Sequence, residues 1–330
     1  LSSGSDGTRV KESLVSALRL DKDALASTLT LAIDNKRETY LNIPIGAATS
    51  INTKRVLNNT GYVAEYDATV GDHFGFGAAL RHDQNDRFKN ADTYRIQASW
   101  RFNTGLRLRA ASGSGITAPT NFELFGYDPT SFVGNPNLKP EKSKGWEAGL
   151  DWFAPNSPVR LGATWFSDIL TGEIQTNFTP SFLSTPVNLA QPSYQHGLEL
   201  TAAADLPGSV TLDGAYTHLK ATEKGGLTEV RRPDDTASLN ATWRGQKVSV
   251  TGTVRYTGKF VDFDFTNPFG AATRRAMPAF TLVNVAAAYK LAPRVELTAR
   301  VENLFNAKYQ EVFTFQAQGV SAFVGLRAGF

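Results

Sequence analysis

Residues able to do chemistry are sparse and scattered in this 330-residue chain. There is no Cys, which removes thiolate zinc sites, disulfide frameworks and cysteine nucleophiles together. The four His (His73, His82, His196 and His218) show no His-x-x-x-His or His-Glu spacing, and there is neither a phosphate-cradling Gly-Lys loop nor a Gly-x-Ser-x-Gly elbow. No catalytic residue is assigned, and the chain is read as not an enzyme. Acidic pairs occur at Asp83/Asp86, Asp234/Asp235 and Asp262/Asp264. Their spacing matches no defined calcium loop, so no metal site and no cofactor are assigned. What remains is aromatic. Phe122, Phe125, Tyr127 and Phe132 crowd one polar stretch, Phe260, Phe263, Phe265 and Phe269 a second, and Tyr309, Phe313 and Phe315 a third. Aromatic clusters on loops serve either ligand binding or packing between loops, and both readings stand. The binding candidates are Phe122, Phe125, Tyr127, Phe132, Phe260, Phe263, Phe265, Phe269, Phe313 and Phe315.

The elements that position these residues alternate with a period of two. Tyr94, Ile96, Ala98, Trp100 and Phe102 share one face, and Arg95, Gln97, Ser99 and Arg101 the other. The same pattern runs through Val248 to Tyr256, Val295 to Val301 and Val320 to Phe330. It predicts about 15 strands, at 9–20, 24–35, 58–70, 73–84, 92–103, 105–115, 143–154, 158–171, 191–206, 209–222, 235–244, 246–258, 278–290, 294–304 and 319–330. Connections after the odd strands are tight, for example Gly71-Asp72, Pro207-Gly208 and Ala292-Pro293. Those after the even strands are long: 36–57, 85–91, 116–142, 172–190, 223–234, 259–277 and 305–318.

Long loops at one end and tight turns at the other mark a transmembrane antiparallel β-barrel. Its apolar face meets lipid. Trp100, Phe102, Trp146, Trp152, Trp165, Trp243, Tyr256 and Tyr289 lie on that face near strand ends, where rings with a polar edge suit the bilayer interface. Small residues such as Ala148, Ala163, Ala202, Ala241 and Gly252 also lie there, where a packed interior would leave voids. On the other face, Arg95, Arg101, Arg107, Arg109, Arg160, Arg255, Arg300 and Arg327 face Glu65, Asp67, Glu147, Asp151, Glu199, Asp213, Glu296 and Glu302. This is a polar wall able to pair across strands. A net charge of +3 is no nucleic-acid footprint, so no nucleic-acid partner is expected.

Three stretches resemble the barrel portion of TonB-dependent outer-membrane receptors, in particular the vitamin B12 and siderophore receptor group. The first runs from Ile116-Thr117-Ala118-Pro119-Thr120 through Glu123-Leu124-Phe125 to Asn135-Pro136-Asn137-Leu138-Lys139-Pro140-Glu141. The second is Arg231-Arg232-Pro233. The third is Glu302-Asn303-Leu304-Phe305-Asn306-Ala307-Lys308-Tyr309, followed by a last strand ending in the aromatic Phe330. By this resemblance Asn135, Pro136, Leu138, Pro140, Glu141, Asn303, Leu304, Phe305, Tyr309 and Phe330 are structural motif residues. The resemblance implies binding of a scarce, bulky small molecule at the cell surface and import driven through the TonB complex. It places the chain in the outer membrane of a Gram-negative bacterium, among lipid, with the long loops extracellular and the C-terminus periplasmic. Such barrels have 22 strands around an N-terminal plug. Residues 1–330 are therefore expected to be the C-terminal part of a receptor barrel, with the plug and first strands outside this chain. Its start at Leu1 and its lone Met277 fit that expectation. The alternative function is a passive outer-membrane porin.

Overall fold

The computed structural model describes residues 3–44, 53–153, 156–181, 183–266 and 272–329. Fifteen long strands follow one another in hydrogen-bonded order along the chain. They are β1 (Ser3–Arg19), β2 (Leu25–Pro44), β3 (Arg55–Val70), β4 (Phe74–Asn85), β5 (Ala91–Arg101), β6 (Leu106–Thr117), β7 (Glu141–Trp152) and β8 (Val159–Thr171). The remainder are β9 (Ser193–Leu206), β10 (Val210–Glu223), β11 (Asp235–Arg244), β12 (Val248–Thr257), β13 (Phe280–Ala292), β14 (Val295–Glu302) and β15 (Ser321–Ala328). The successive pairings from β1 to β5 and from β10 to β15 are antiparallel in register. Each strand expected from the period-two pattern is present.

The boundaries differ most at β1 and β2. β2 was expected to end near residue 35 but continues to Pro44, and β1 begins at Ser3 to match it. The added residues of β1, and 36–39 of β2, are polar on both faces. Cross-strand pairs hold them: the Thr8 and Thr39 hydroxyls lie 2.6 Å apart, and Arg9 Nε is 3.1 Å from Glu38. Hydrophobic alternation marks the part of a strand that meets an apolar medium. The backbone ladder continues beyond it.

The tight connections carry left-handed residues. Asp23 (φ 53°), Gly71 (φ 55°), Gly105 (φ 83°), Asn156 (φ 61°), Gly208 (φ 78°) and Ser209 (φ 62°) turn five of the seven odd-to-even connections.

The chain forms two compact units. One comprises Leu1–Arg101, Arg109–Glu147 and Asp168–Tyr194, the other Phe102–Leu108, Ala148–Ser167 and Gln195–Phe330. In both, large apolar side chains stand in the open along the strands: Leu80 in the first is 66% exposed and Leu239 in the second 48%. Leu239 lies opposite Gly214 on one side and Val254 on the other, in the middle of three strands. A water-soluble sheet would cover such a face, whereas lipid solvates it. The other face holds ion pairs. Arg81 bridges Asp34 and Asp83, each at 2.7 Å, in the first unit. In the second, Arg107 meets Asp151 at 2.7 Å and Arg327 meets Glu296 at 3.1 Å. Arg160 selects Asp205, at 2.8 Å, rather than Glu199 or Asp213.

Buried apolar side chains gather elsewhere. They are Tyr40, Leu124 and Leu138 in the first unit, and Ala221, Phe260, Met277 and Leu282 in the second. All lie in long connections or in the strand ends that adjoin them.

A lipid-facing position in mid-strand tolerates charge poorly, at about 2–4 kcal/mol for Arg near the bilayer midplane. Leu239→Arg is expected to lose that much in denaturant unfolding from liposomes. Asn240→Arg, on the opposite face, forfeits one hydrogen bond from Thr253, worth about 1 kcal/mol.

Candidate functional site

Each unit builds its own cluster from long connections. In the first, Thr120 caps the short helix α1 (Asn121–Phe125): its hydroxyl accepts from the Glu123 amide at 3.2 Å, while the Glu123 carboxylate accepts from the Thr120 amide at 2.7 Å. α1 turns Leu124 inward, to 1% exposure. Phe122, on its other side, is 47% exposed and stacks on Phe132, with ring centres 4.3 Å apart and planes 16° apart. Phe125 is held by two cations, the Arg55 and Arg87 guanidiniums, each 4.9 Å from the ring centre. Tyr127 is fixed through its backbone. Its amide donates to Asn42 Oδ1 at 3.1 Å, and Asn42 Nδ2 donates to its carbonyl at 3.0 Å.

Four short strands extend this cluster: Tyr127–Asp128, Phe132–Val133, Ser184–Asn188 and Ile174–Phe178. Gly134 passes so close to α1 that a Cβ there would sit 2.8–2.9 Å from backbone atoms of Leu124, Phe125 and Gly126. The next residue, Asn135, donates its amide to the Glu123 carbonyl (2.8 Å) and Nδ2 to the Pro186 carbonyl (3.0 Å). The Pro136 carbonyl accepts from Arg87 at 2.6 Å, Leu138 is buried, and Glu141 accepts from the Ile174 amide at 2.7 Å. Pro140 lines a cavity of about 680 Å³. Its walls also present Phe122, Asn121, Arg81 and Lys89.

In the second unit the antiparallel hairpin Phe260–Asp264/Thr273–Met277 carries the cluster. Phe260 and Met277 face each other and are buried. Phe263 lies under Arg274 at 5.6 Å and tilts against Phe265 at 5.8 Å. Phe313 lies under Arg275 at 4.4 Å. Phe265 and Phe315 stand out, at 63% and 71% exposure. Phe269 lies outside the described residues.

The Asn303 motif forms a polar knot. Asn303, left-handed at φ 49° and buried, donates Nδ2 to the Ala307 and Gln318 carbonyls at 2.9 and 3.3 Å, and its Oδ1 accepts from the Ala307 amide at 2.8 Å. Leu304 and Phe305 project outward, and Tyr309 packs on Phe280 with ring centres 4.6 Å apart. Phe330 lies outside the described residues.

The candidates thus divide by exposure. Phe122, Phe265 and Phe315 present open rings. Phe260 is packed away, and Phe125, Phe263 and Phe313 are half-covered by arginines. Sequence reading missed those arginines: Arg55, Arg87 and Arg275 lie 38 residues or more along the chain from the rings they cover, and Arg274 meets Phe263 only as its cross-strand partner in the hairpin. Three carboxylates of the acidic pairs at 83/86 and 234/235 are taken up by donors. Asp83 accepts from Arg81 and Asn59, Asp86 from Asn58, and Asp235 from Tyr216 and His218. Among the described residues no group of three His, Asp or Glu is placed to hold a metal ion.

The family described as TonB dependent receptor-like, beta-barrel, matches residues 17–304. The vitamin B12 transporter BtuB of Photobacterium profundum is 28% identical over 251 residues, covering 74% of this chain and 38% of that protein. Among solved structures, the ferric enterobactin receptor PfeA from Pseudomonas aeruginosa superposes with a TM-score of 0.82 at 17% identity. The siderophore receptor PirA from Acinetobacter baumannii does so at 0.81 and 15%. Each match covers 99% of this chain and 55% of the other. The fold is that of these antiparallel transmembrane barrels, and the chain spans about half the length of those structures.

Phe125→Ala removes two cation–π contacts at about 0.5–1 kcal/mol each. It is expected to raise protease cleavage within 118–140 roughly tenfold, whereas Phe315→Ala leaves cleavage of its own loop unchanged. The two loop carboxylates of the hairpin set a pH dependence. Burial pushes Asp262 up, but the Phe313 and Phe263 amides and the Arg231 guanidinium outweigh it and hold it below the usual carboxylate range. Asp264 is held down by the Thr266 hydroxyl and amide, and by Arg275. A carboxyl lowered in the folded state adds stability that is full above its unfolded pKa and lost as pH falls through the lowered value. Hairpin protection from proteolysis is therefore expected to be equal at pH 7 and pH 5 and to fall only in stronger acid.

Proposed function

The chain belongs to the TonB-dependent receptor-like β-barrel family, and from that premise we propose that it supplies the barrel of an outer-membrane receptor. The receptor captures a scarce, bulky small molecule and imports it with energy delivered through the TonB complex. In this reading the long connections lie on the cell surface of a Gram-negative bacterium and the tight turns face the periplasm. A plug, outside residues 1–330, couples to TonB. The names of the relatives frame the ligand class, since BtuB is a vitamin B12 transporter and PfeA a ferric enterobactin receptor. The observation that carries the reading is the open rings that each unit's long connections present, Phe122 in the first and Phe265 and Phe315 in the second, beside residues of the same connections that are packed and hydrogen-bonded. An exposed ring on an ordered loop is a surface held ready for an apolar partner.

The test is uptake of labelled cobalamin and of ferric enterobactin by cells that carry the full-length receptor in place of their own. Uptake of one probe, abolished by loss of TonB, is the expected result. Steady ion conductance with no TonB-dependent uptake of either probe would instead assign a passive pore. Burying one Phe is worth about 1.5–3 kcal/mol. Replacing Phe265 and Phe315 together by Ala is therefore expected to weaken binding at least tenfold.

A further inference from the structure

The second unit contains a buried carboxylate that the uptake reading does not use. Asp262 is 0% exposed. Its Oδ1 accepts from Arg231 Nε at 2.7 Å and from the Phe263 amide at 2.8 Å, and its Oδ2 accepts from the Phe313 amide at 2.7 Å. Those donors come from three connections: 224–234, the hairpin of 258–279, and 303–320. Arg231 lies 31 residues away along the chain and Phe313 lies 51. Asp264, two residues on, makes the contrast. It accepts from its own turn, the Thr266 amide and hydroxyl at 2.9 and 2.6 Å, and reaches Arg275 of the same hairpin only at 3.4 Å. One aspartate closes a local turn, and the other joins distant segments.

Further contacts run along the same seams. The Arg231 amide donates to the Val261 carbonyl at 2.7 Å, with Arg231 held left-handed at φ 58°, a conformation a β-carbon disfavours. The hairpin's Arg274 pairs with Glu223 and donates to the Thr228 carbonyl. Arg275 covers Phe313. A buried carboxylate is kept charged by its donors, so loss of either distant donor, the Arg231 guanidinium or the Phe313 amide, loosens the join.

We propose that Asp262 is a positioning residue that locks these three connections into one body, so that the open rings of Phe265 and Phe315 are presented at a fixed separation. The proposal rests on the receptor reading for its purpose and on the hydrogen bonds for its content. A ligand meeting two rings already fixed in space has less ordering to do on binding.

The experiment measures the distance between spin labels on Phe265→Cys and Phe315→Cys in the full-length receptor. This chain has no Cys of its own, so within it only those two positions are labelled. With Asp262 intact a single narrow distance distribution is expected. Asp262→Asn and Arg231→Met should each at least double its width. The double variant should be no broader than Asp262→Asn alone, because the Arg231 contact acts through the same carboxylate. Asp264→Asn should change nothing. Heat-modifiable migration on gels verifies that each barrel is folded. Should Asp262→Asn fail to fold, Arg231→Met still decides, since it leaves the carboxylate its two amide donors. An unchanged width in Arg231→Met, additive broadening in the double variant, or equal broadening by Asp264→Asn would overturn the proposal. No ligand enters the measurement. Narrow parental distances in a protein that takes up neither probe would therefore sink the receptor reading and leave the lock standing.

Discussion

Hydrocarbon offers a peptide amide no water to bond, so every N–H and C=O that enters it must find a partner in the protein. The rest of this structure follows from that constraint. Strand pairs with the next strand in chain order, because adjacent antiparallel pairing satisfies the ladder with the shortest connections. Once the ladder is satisfied, the side chains on the lipid face need only be apolar. Leucine, alanine and glycine all serve there, and large residues stand exposed without penalty. The residues that the ladder cannot discipline are in the long connections, and there the chain returns to the means of a soluble protein: small apolar cores, a capping box, asparagine knots and ion pairs.

The two clusters solve the same packing problem alike. In each unit guanidinium groups cover loop rings that are not packed away. Arg55 and Arg87 do this for Phe125, Arg274 for Phe263 and Arg275 for Phe313. The cover is cationic and hydrated on its outer side, which keeps a ring-rich surface soluble. Among the binding candidates, the rings that stay open are then Phe122, Phe265 and Phe315.

Fold and site differed in how far they could be read from the chain alone. The fifteen strands were legible because alternation is a local signal, written residue by residue. It failed where the medium changes: β2 over 36–39 has polar residues on both faces, and only cross-strand partners such as Thr8 and Arg9 reveal that the ladder continues. The loop aromatics were visible as a class, but their separation into open and covered rings was not, because the covering groups come from other segments (Arg55, Arg87, Arg275) or from the facing strand of the hairpin (Arg274). Asp262 read as half of an acidic pair with Asp264. Its burial depends on Arg231 and the Phe313 amide, which no spacing rule links to it.

Confinement of the buried apolar residues, among the described ones, to the long connections and the strand ends that adjoin them also bears on how such a protein can change over generations. In a soluble binding protein the core lies beneath the site, so the two can be altered separately. Here the same few segments supply both the buried residues and the proposed site, and neighbouring positions carry opposite tolerances. Phe265 and Phe315 contribute little to holding their loops and are free to be exchanged as ligands change. Phe260 and Leu124, a few residues from open rings, are not. New specificities are therefore expected to arise through whole-loop replacement or at the uncovered rings, while the strands beneath drift freely among apolar residues.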